Sequence, residues 1–306
     1  MHPSKRSYYR SRCCRTLSLV LVSSWAVWGC TEEVFEDIPA YVHIESVGLE
    51  TQANQQGSAS ANISEIWLFV ADAFLGAYAT DATIPILRSG PTALRLEAGI
   101  RDNGIAATPE IYPFYAPINR ELPLQPQRMD SLTLTFTYRE DVNFALLENY
   151  ENGLTVFQDL INGSSFNRLR ADEEAAFEGR LGGLIRLSTD FPSVELASVR
   201  RFRDLQRSGI PVYLEMDYRS EAPVQFGILG FPADSDLPVD ARYVAGFNPS
   251  ETWKKIYFNL SQAVADSQGD EFKIILQTSL PIQNDGTYTR NSAQVRIDNL
   301  KLLHFE

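Results

Sequence analysis

The chain reads as an all-β protein of two β-sandwich domains behind an export signal, and three observations carry that expectation. Short runs alternate apolar and polar side chains, the period of a strand with one buried face. Gly, Pro, Asn and Asp separate these runs at close intervals, as turns require. No long segment repeats apolar residues at helical spacing.

The export signal comes first. Residues 1–29 hold Lys5, Arg6, Arg10, Arg12 and Arg15 and no acid, and the apolar run LSLVLVSSWAVW follows the last of these. About a dozen apolar residues is short for a bilayer span, so residues 1–29 read as a secretory signal peptide. The run stops at VWGC, which resembles the bacterial lipobox. That resemblance implies lipidation of Cys30 and a membrane anchor of several acyl chains. The plainer reading is an ordinary signal that ends near a cysteine.

Cysteine and charge usage agree with export. All three cysteines, Cys13, Cys14 and Cys30, lie at or before residue 30. The exported chain therefore has no pair for an internal disulfide, and its folded part no thiolate metal site or cysteine nucleophile. The chain carries 27 basic and 39 acidic residues; without the five basic residues of the signal, 22 face 39, a net −17. Such a surface repels nucleic acid. Residues 30–37, with Glu32, Glu33, Glu36 and Asp37, read as a lipidated acidic linker. The cluster resembles the acidic export tag of Bacteroidetes surface lipoproteins, which implies a surface-exposed outer-membrane location.

Residues 38–140 are expected to form the first, small sandwich. YVHIESVGL is a strand, TQANQQGSASAN a polar loop, and ISEIWLFVADAFLGAYA a hairpin broken at Ala-Asp-Ala. PTALRLEAGI gives another strand. In SLTLTFTY, Leu132, Leu134, Phe136 and Tyr138 face one way and the serine and threonines the other. Gly76, Pro85, Gly90, Gly99, Asn103, Gly104 and YPFY (112–115) resemble a PEGA-like, Ig-like or carboxypeptidase-regulatory-like module found in Bacteroidetes lipoproteins. The resemblance implies a spacer or interaction platform. The simplest role for YPFY is packing a loop on the sandwich edge. DSL at 130–132 matches a Bacteroidetes O-glycosylation pattern, which makes Ser131 an acceptor on the outward side of its strand.

Residues 141–306 form the second domain. ADEEAAFEG suits a helical turn or two, and VELASVRRFRDLQRSG suits a strand or a short helix. IPVYLEMDYRS, PVQFGILGF, WKKIYFNLS, EFKIILQTS and QVRIDNLKLLHF then read as strands of antiparallel sheets. Val212, Leu214, Met216 and Tyr218 share one face, as do Ile256, Phe258 and Leu260. ENYENG, YLEMDY, WKKIYFNL and VRIDNLKL resemble the jelly roll of carbohydrate-binding modules. That resemblance implies a structural calcium on Asp298 with Glu148 or Glu151, although no cofactor is required. The plain alternative is that Asp298 and Asn299 turn or cap the strand end.

The opposite face offers Tyr213, Glu215, Asp217, Lys255, Tyr257 and Asn259. Aromatic platforms beside hydrogen-bonding groups suit a sugar ring, so these six are the expected glycan site if their strands are neighbours. The bland reading is a solvated sheet face with cross-strand pairs. Trp253 is a platform or a core residue. Only His43 and His304 follow the signal, and the HExxH, GxSxG and phosphate-loop motifs are absent. Glu215 and Asp217 lie two apart on one strand, whereas glycosidase carboxyls flank a cleft from separate elements. The expectation is a non-enzymatic, lipid-anchored binding protein whose partner is a glycan. The alternatives are a scaffold for another envelope protein and, more distantly, a glycan-active enzyme.

Overall fold

Alternating side chains build two pairs of sheets along the chain, seen in a computed structural model that describes residues 38–154 and 156–306. The signal, Cys30 and the acidic linker lie outside the described residues. Pro39–Glu306 form one compact unit.

The first pair opens with β1 (Ala40–Leu49), β2 (Glu65–Val70), β3 (Ala73–Ala79) and β4 (Thr83–Ile86). A single helical turn, α1 (Ala53–Gln56), interrupts the loop expected after β1. The long β5 (Gly90–Arg101), β6 (Pro109–Ile111), β7 (Ile118–Leu124) and β8 (Met129–Phe136) complete it. One sheet runs β4-β1-β8; the other runs β3-β2-β5-β6, with β7 also on β5. The β2–β3 hairpin turns on Ala71 and Asp72, both at positive φ (47° and 64°). That is the left-handed pair a two-residue hairpin needs. β1 and β8 pair in parallel, a departure from simple hairpin order.

The second pair is antiparallel in every pairing. Its strands begin with β9 (Val142–Glu148), β10 (Phe157–Ile161), β11 (Arg170–Asp172), β12 (Gly182–Ser188) and β13 (Ser193–Ser198). β14 (Val212–Ser220), β15 (Val224–Phe231), β16 (Asp240–Phe247) and β17 (Ser250–Asn259) follow. A short α2 (Ser261–Asp266), β18 (Glu271–Ser279) and β19 (Ser292–Phe305) close the chain. The six-stranded sheet runs β11-β12-β19-β14-β17 with β9 on the far half of β19; the five-stranded sheet runs β10-β13-β18-β15-β16. VELAS, at the start of the segment that suits a strand or a short helix, resolves as a strand, and the ADEEAAFEG segment holds one 3-10 turn, Glu173–Ala175, capped by Asp172. β16 was not expected, because ARYVAGF lies after a Pro- and Asp-rich stretch and does not alternate cleanly.

The expected core faces hold. Val212, Leu214, Met216, Tyr218, Ile256, Phe258 and Leu260 all enter the core between the two later sheets. Fully burying side chains of this size is worth about 1.5–3 kcal/mol each. Tyr213, Tyr257 and Leu303, from the other face of the same sheet, belong instead to the core of the first sandwich. The two sandwiches therefore share a packed seam.

Candidate functional site

The six residues expected to meet a glycan sit in that seam. β14 and β17 are direct neighbours, with Tyr213 opposite Asn259, Glu215 opposite Tyr257 and Asp217 opposite Lys255. The strand pairing is as the glycan reading required, but the face is not open. Tyr213 is 4% exposed, Glu215 0%, Asp217 1%, Lys255 7% and Tyr257 1%, while Asn259 is half-buried. The loop carrying Tyr112, Phe114 and Tyr115 covers them. Tyr112 packs 4.9 Å from Tyr257 and 5.4 Å from Tyr213, ring centre to ring centre. YPFY thus docks one sandwich on the other, and the solvent-facing glycan site drawn on these residues is corrected.

Burial changes what the polar groups do. Tyr112 donates to Glu215 Oε1 at 2.6 Å, and Tyr138 donates to both Glu215 oxygens at 3.0 Å. Lys255 Nζ lies 3.2 Å from Glu215 Oε2 but off the line of a hydrogen bond, so charge rather than a directed bond joins them. Lys301 Nζ donates to Ser58 O at 2.7 Å and to Tyr138 Oη at 3.1 Å. Burial pushes the Glu215 carboxyl up, but Lys255, Lys301 and the two phenols outweigh it and hold it below its ordinary value. Burial pulls Lys301 down to about 8 against the attraction of Glu215. Asp217 goes the other way, raised by burial although Lys255, Ser60 and Asn299 oppose the shift. Ser60 Oγ donates to Asp217 Oδ1 at 2.7 Å and Asn62 N to Tyr257 Oη at 2.9 Å; Asn259 Nδ2 donates to Tyr213 Oη at 2.9 Å and its N–H to Asn103 Oδ1 at 3.0 Å.

The expected calcium ligands are engaged with backbone amides. Asp298 Oδ2 accepts from Phe177 N at 2.9 Å and Glu178 N at 3.2 Å, and its Oδ1 accepts from Asn299 N at 2.8 Å. Glu151 Oε1 accepts from Arg180 N and Leu181 N at 2.6 and 2.8 Å; Glu148 Oε1 accepts from Tyr150 N at 2.6 Å. Burial pushes Asp298 up to about 6 despite these bonds. Among the described residues no group of three or more His, Cys, Asp or Glu side chains is placed to hold a metal ion. Calcium prefers six to eight oxygens, and these three carboxylates do not build that shell. They pin the loop at 177–181 and the adjoining turn. Ser131 is exposed on β8, opposite His43. Trp253 is half-buried, packed against Phe177 at 5.2 Å between ring centres.

The face of the second sandwich turned away from its main core belongs to the five-stranded sheet; Tyr243 packs there on a small buried cluster of Ala197, Leu229, Phe231 and Ile275, and the end at Gln225 is open. Its strands place Glu195, Gln277 and Gln225 in one row across β13, β18 and β15. The next row is Ala197, Ile275, Gly227 and, on β16, Tyr243. Tyr243 donates its phenol to Glu195 on β13, so the two side chains reach toward each other over β15 and β18. Gly227 lets the backbone of β16 come close at the register shift beside it: a Cβ there would stand 2.1 Å from the Arg242 carbonyl oxygen. Burial, then Glu195, pushes the Tyr243 phenol well up, so it stays a donor. Gln277 donates to Gln225 at 2.5 Å, and Arg201 covers Phe231 at 4.0 Å, a cation over an aromatic face. A groove of about 390 Å³ continues along Asn162, Ser193, Gln225, Gln277 and Ser279. The signal that could have marked this face was RYVAGF, an aromatic and β-branched run between turn residues.

No protein-family model matches the chain, and no curated protein matches it. Among solved structures it is similar to the CBM22-1 xylan-binding domain of Paenibacillus barcinonensis Xyn10C: 13% identity, TM-score 0.37, 55% of this chain and 98% of that one. It is similar to a carbohydrate-binding module of the β-sandwich superfamily at 14% identity and TM-score 0.36, over 78% of this chain and 85% of that one. A family 11 carbohydrate-binding module of Clostridium thermocellum, in complex with a β-1,3-1,4-mixed-linked tetrasaccharide, gives 15% and 0.35 over 51% of this chain and 93% of that one. Likenesses this slight carry no argument about function, and the all-β architecture rests on the strands and sheets themselves.

Proposed function

We propose that this chain is a lipid-anchored, non-catalytic envelope protein that binds glycan on the open face of its five-stranded sheet. The carrying observation is Tyr243, laid across that face toward Glu195 with Gln225 and Gln277 in the adjoining row. An aromatic ring flanked by amides and a carboxylate matches the apolar C–H patches and hydroxyls of a sugar. The anchor reading is supported by the basic and apolar run ending at Cys30, and the surface location by the acids that follow it. The non-catalytic reading is supported by the enclosure of Glu215 and Asp217 beneath the first sandwich. The test is a glycan-array screen of the full chain in detergent, repeated with a chelator present. Binding that resists chelation and is lost in Tyr243→Ala supports the reading; a folded protein silent across the array sinks it.

The scaffold reading has one observation of its own. Trp67, Phe69 and Phe74 cluster on the outer face of the β3-β2-β5 sheet, with Phe74 53% exposed and ring centres 5.2–5.3 Å apart. Exposed aromatic patches of this kind mark contact surfaces. Co-purification of an envelope protein that is lost in Phe74→Ser but not in Tyr243→Ala would favour the scaffold.

A further inference from the structure

The outer face of the six-stranded sheet is only half covered by the first sandwich. Tyr213, Glu215 and Asp217 lie under it, but Arg219, two residues further along the same face of β14, does not. Arg219 is paired across the sheet with Arg296 of β19. Like charges directly opposite each other on neighbouring strands destabilise a sheet.

Arg296 has partners: its Nε donates to Glu174 O at 3.2 Å, and it also donates to Gln294. Arg219 makes no ion pair or hydrogen bond among the described residues. Its guanidinium lies 5.6 Å over the ring of Trp253, whose place Phe177 fixes from β17's flank. A cation over an aromatic face at this distance is drawn toward the ring while its N–H groups stay free for a carboxylate. Both arginines, with Arg290, border a groove of about 820 Å³.

Two acids share the groove. Glu221 is 3.7 Å from Arg290 and 4.0 Å from Arg296, and Glu251 is exposed on the rim. Three guanidiniums against two carboxylates leave the groove cationic on a chain whose net charge is −12. The hydroxyls of Ser250 and Thr289 also border it, and its only apolar side chains are Pro249 and Pro281. An acidic peptide without hydroxylated side chains would have only its amide N–H groups to offer Glu221 and Glu251. A sugar would use the same two carboxylates as acceptors for its hydroxyls.

We propose that this groove is a second binding site, for a carboxylate-bearing saccharide whose acid group is gripped by Arg219 and Arg296. Trp253 is a positioning residue that holds the Arg219 fork. This site is on the opposite sheet from Tyr243 and does not depend on that face binding glycan.

The experiment is titration calorimetry of the full chain in detergent with tetramers of galacturonate, glucuronate and guluronate. A neutral galactose tetramer and a tetraglutamate peptide are the controls. At least one uronate is expected to bind, with affinity falling at least tenfold in Arg219→Gln and less in Arg219→Lys, which keeps the charge but not the fork. The same affinity in Tyr243→Ala is expected, and circular dichroism checks that each variant is folded. Absence of binding by all three uronates overturns the proposal. So does equal affinity for the tetraglutamate peptide, an unchanged affinity in Arg219→Gln, or a loss caused by Tyr243→Ala instead.

Discussion

Tyr112 and Glu215, 103 residues apart in the chain, meet through a 2.6 Å hydrogen bond at the centre of the seam between the sandwiches. The carboxylate that accepts it is fully buried and also balances Lys255 and Lys301. Two loops from the first sandwich complete the site, one with Ser58 and Ser60, the other with Tyr112.

Removal of Glu215 should therefore be costly. Glu215→Ala leaves two buried ammonium groups without their shared counter-charge. Breaking one side of a buried ion pair costs about 3–5 kcal/mol. Urea unfolding of wild type and variant checks this, and a loss under about 1 kcal/mol would show that water reaches the seam.

Lys301 makes the seam sensitive to alkaline pH. Its folded value is about 8, against an ordinary 10.5. Between those values the unfolded chain holds a proton that the folded chain has released, so stability rises with pH. That contribution is complete above 10.5 and lost as pH falls through about 8. Tyr112, Tyr115 and Tyr138 are raised well above 10 by burial, so what they contribute is present below about 10 and lost beyond it. Melting temperature from about pH 7.5 to 9.5 should climb more in wild type than in Lys301→Met; parallel curves would contradict this.

Two tyrosines of similar appearance in the sequence should behave oppositely. Tyr257→Ala opens a cavity in the seam and should cost about 3–5 kcal/mol, as aromatic truncation in a core does. Tyr243→Ala, at a half-buried position over a cluster of only four side chains, should cost less, about 1–2 kcal/mol, and abolish glycan binding. Thermal melts and glycan titration of both variants give the comparison.

The shared core also predicts cooperativity. Tyr213, Tyr257 and Leu303 of the second sandwich pack within the core of the first. Calorimetry of the wild type should show one transition with matching calorimetric and van't Hoff enthalpies. Tyr112→Ala, which removes the ring touching both Tyr213 and Tyr257, should separate it into two. A wild type that already melts in two steps would mean the seam is weaker than its packing suggests.

Much of the architecture was legible because strand periodicity is local. Alternation along 212–218 and 256–260 put Val212, Leu214, Met216, Tyr218, Ile256, Phe258 and Leu260 together on the side that enters the second sandwich's core. A two-residue period divides side chains between faces without reference to distant chain. The hairpin at Ala71 and Asp72 was readable for the same reason. β16 was missed because a bulge at Phe226/Gly227 and an irregular apolar pattern hide its period, and with it Tyr243.

What covers each face was decided only by tertiary structure. Tyr213, Glu215, Asp217, Lys255 and Tyr257 have the composition of a solvated sheet face, and nothing within their own strands says otherwise. Glu215, Asp217 and Tyr257 find hydrogen-bond partners in Ser60, Asn62, Tyr112 and Tyr138, 77 to 195 residues away. Buried polar groups persist only where such partners satisfy them. The sequence by itself determined which side chains share a face; which face meets water depended on how the first sandwich docks, through contacts between residues too distant for any local pattern to record.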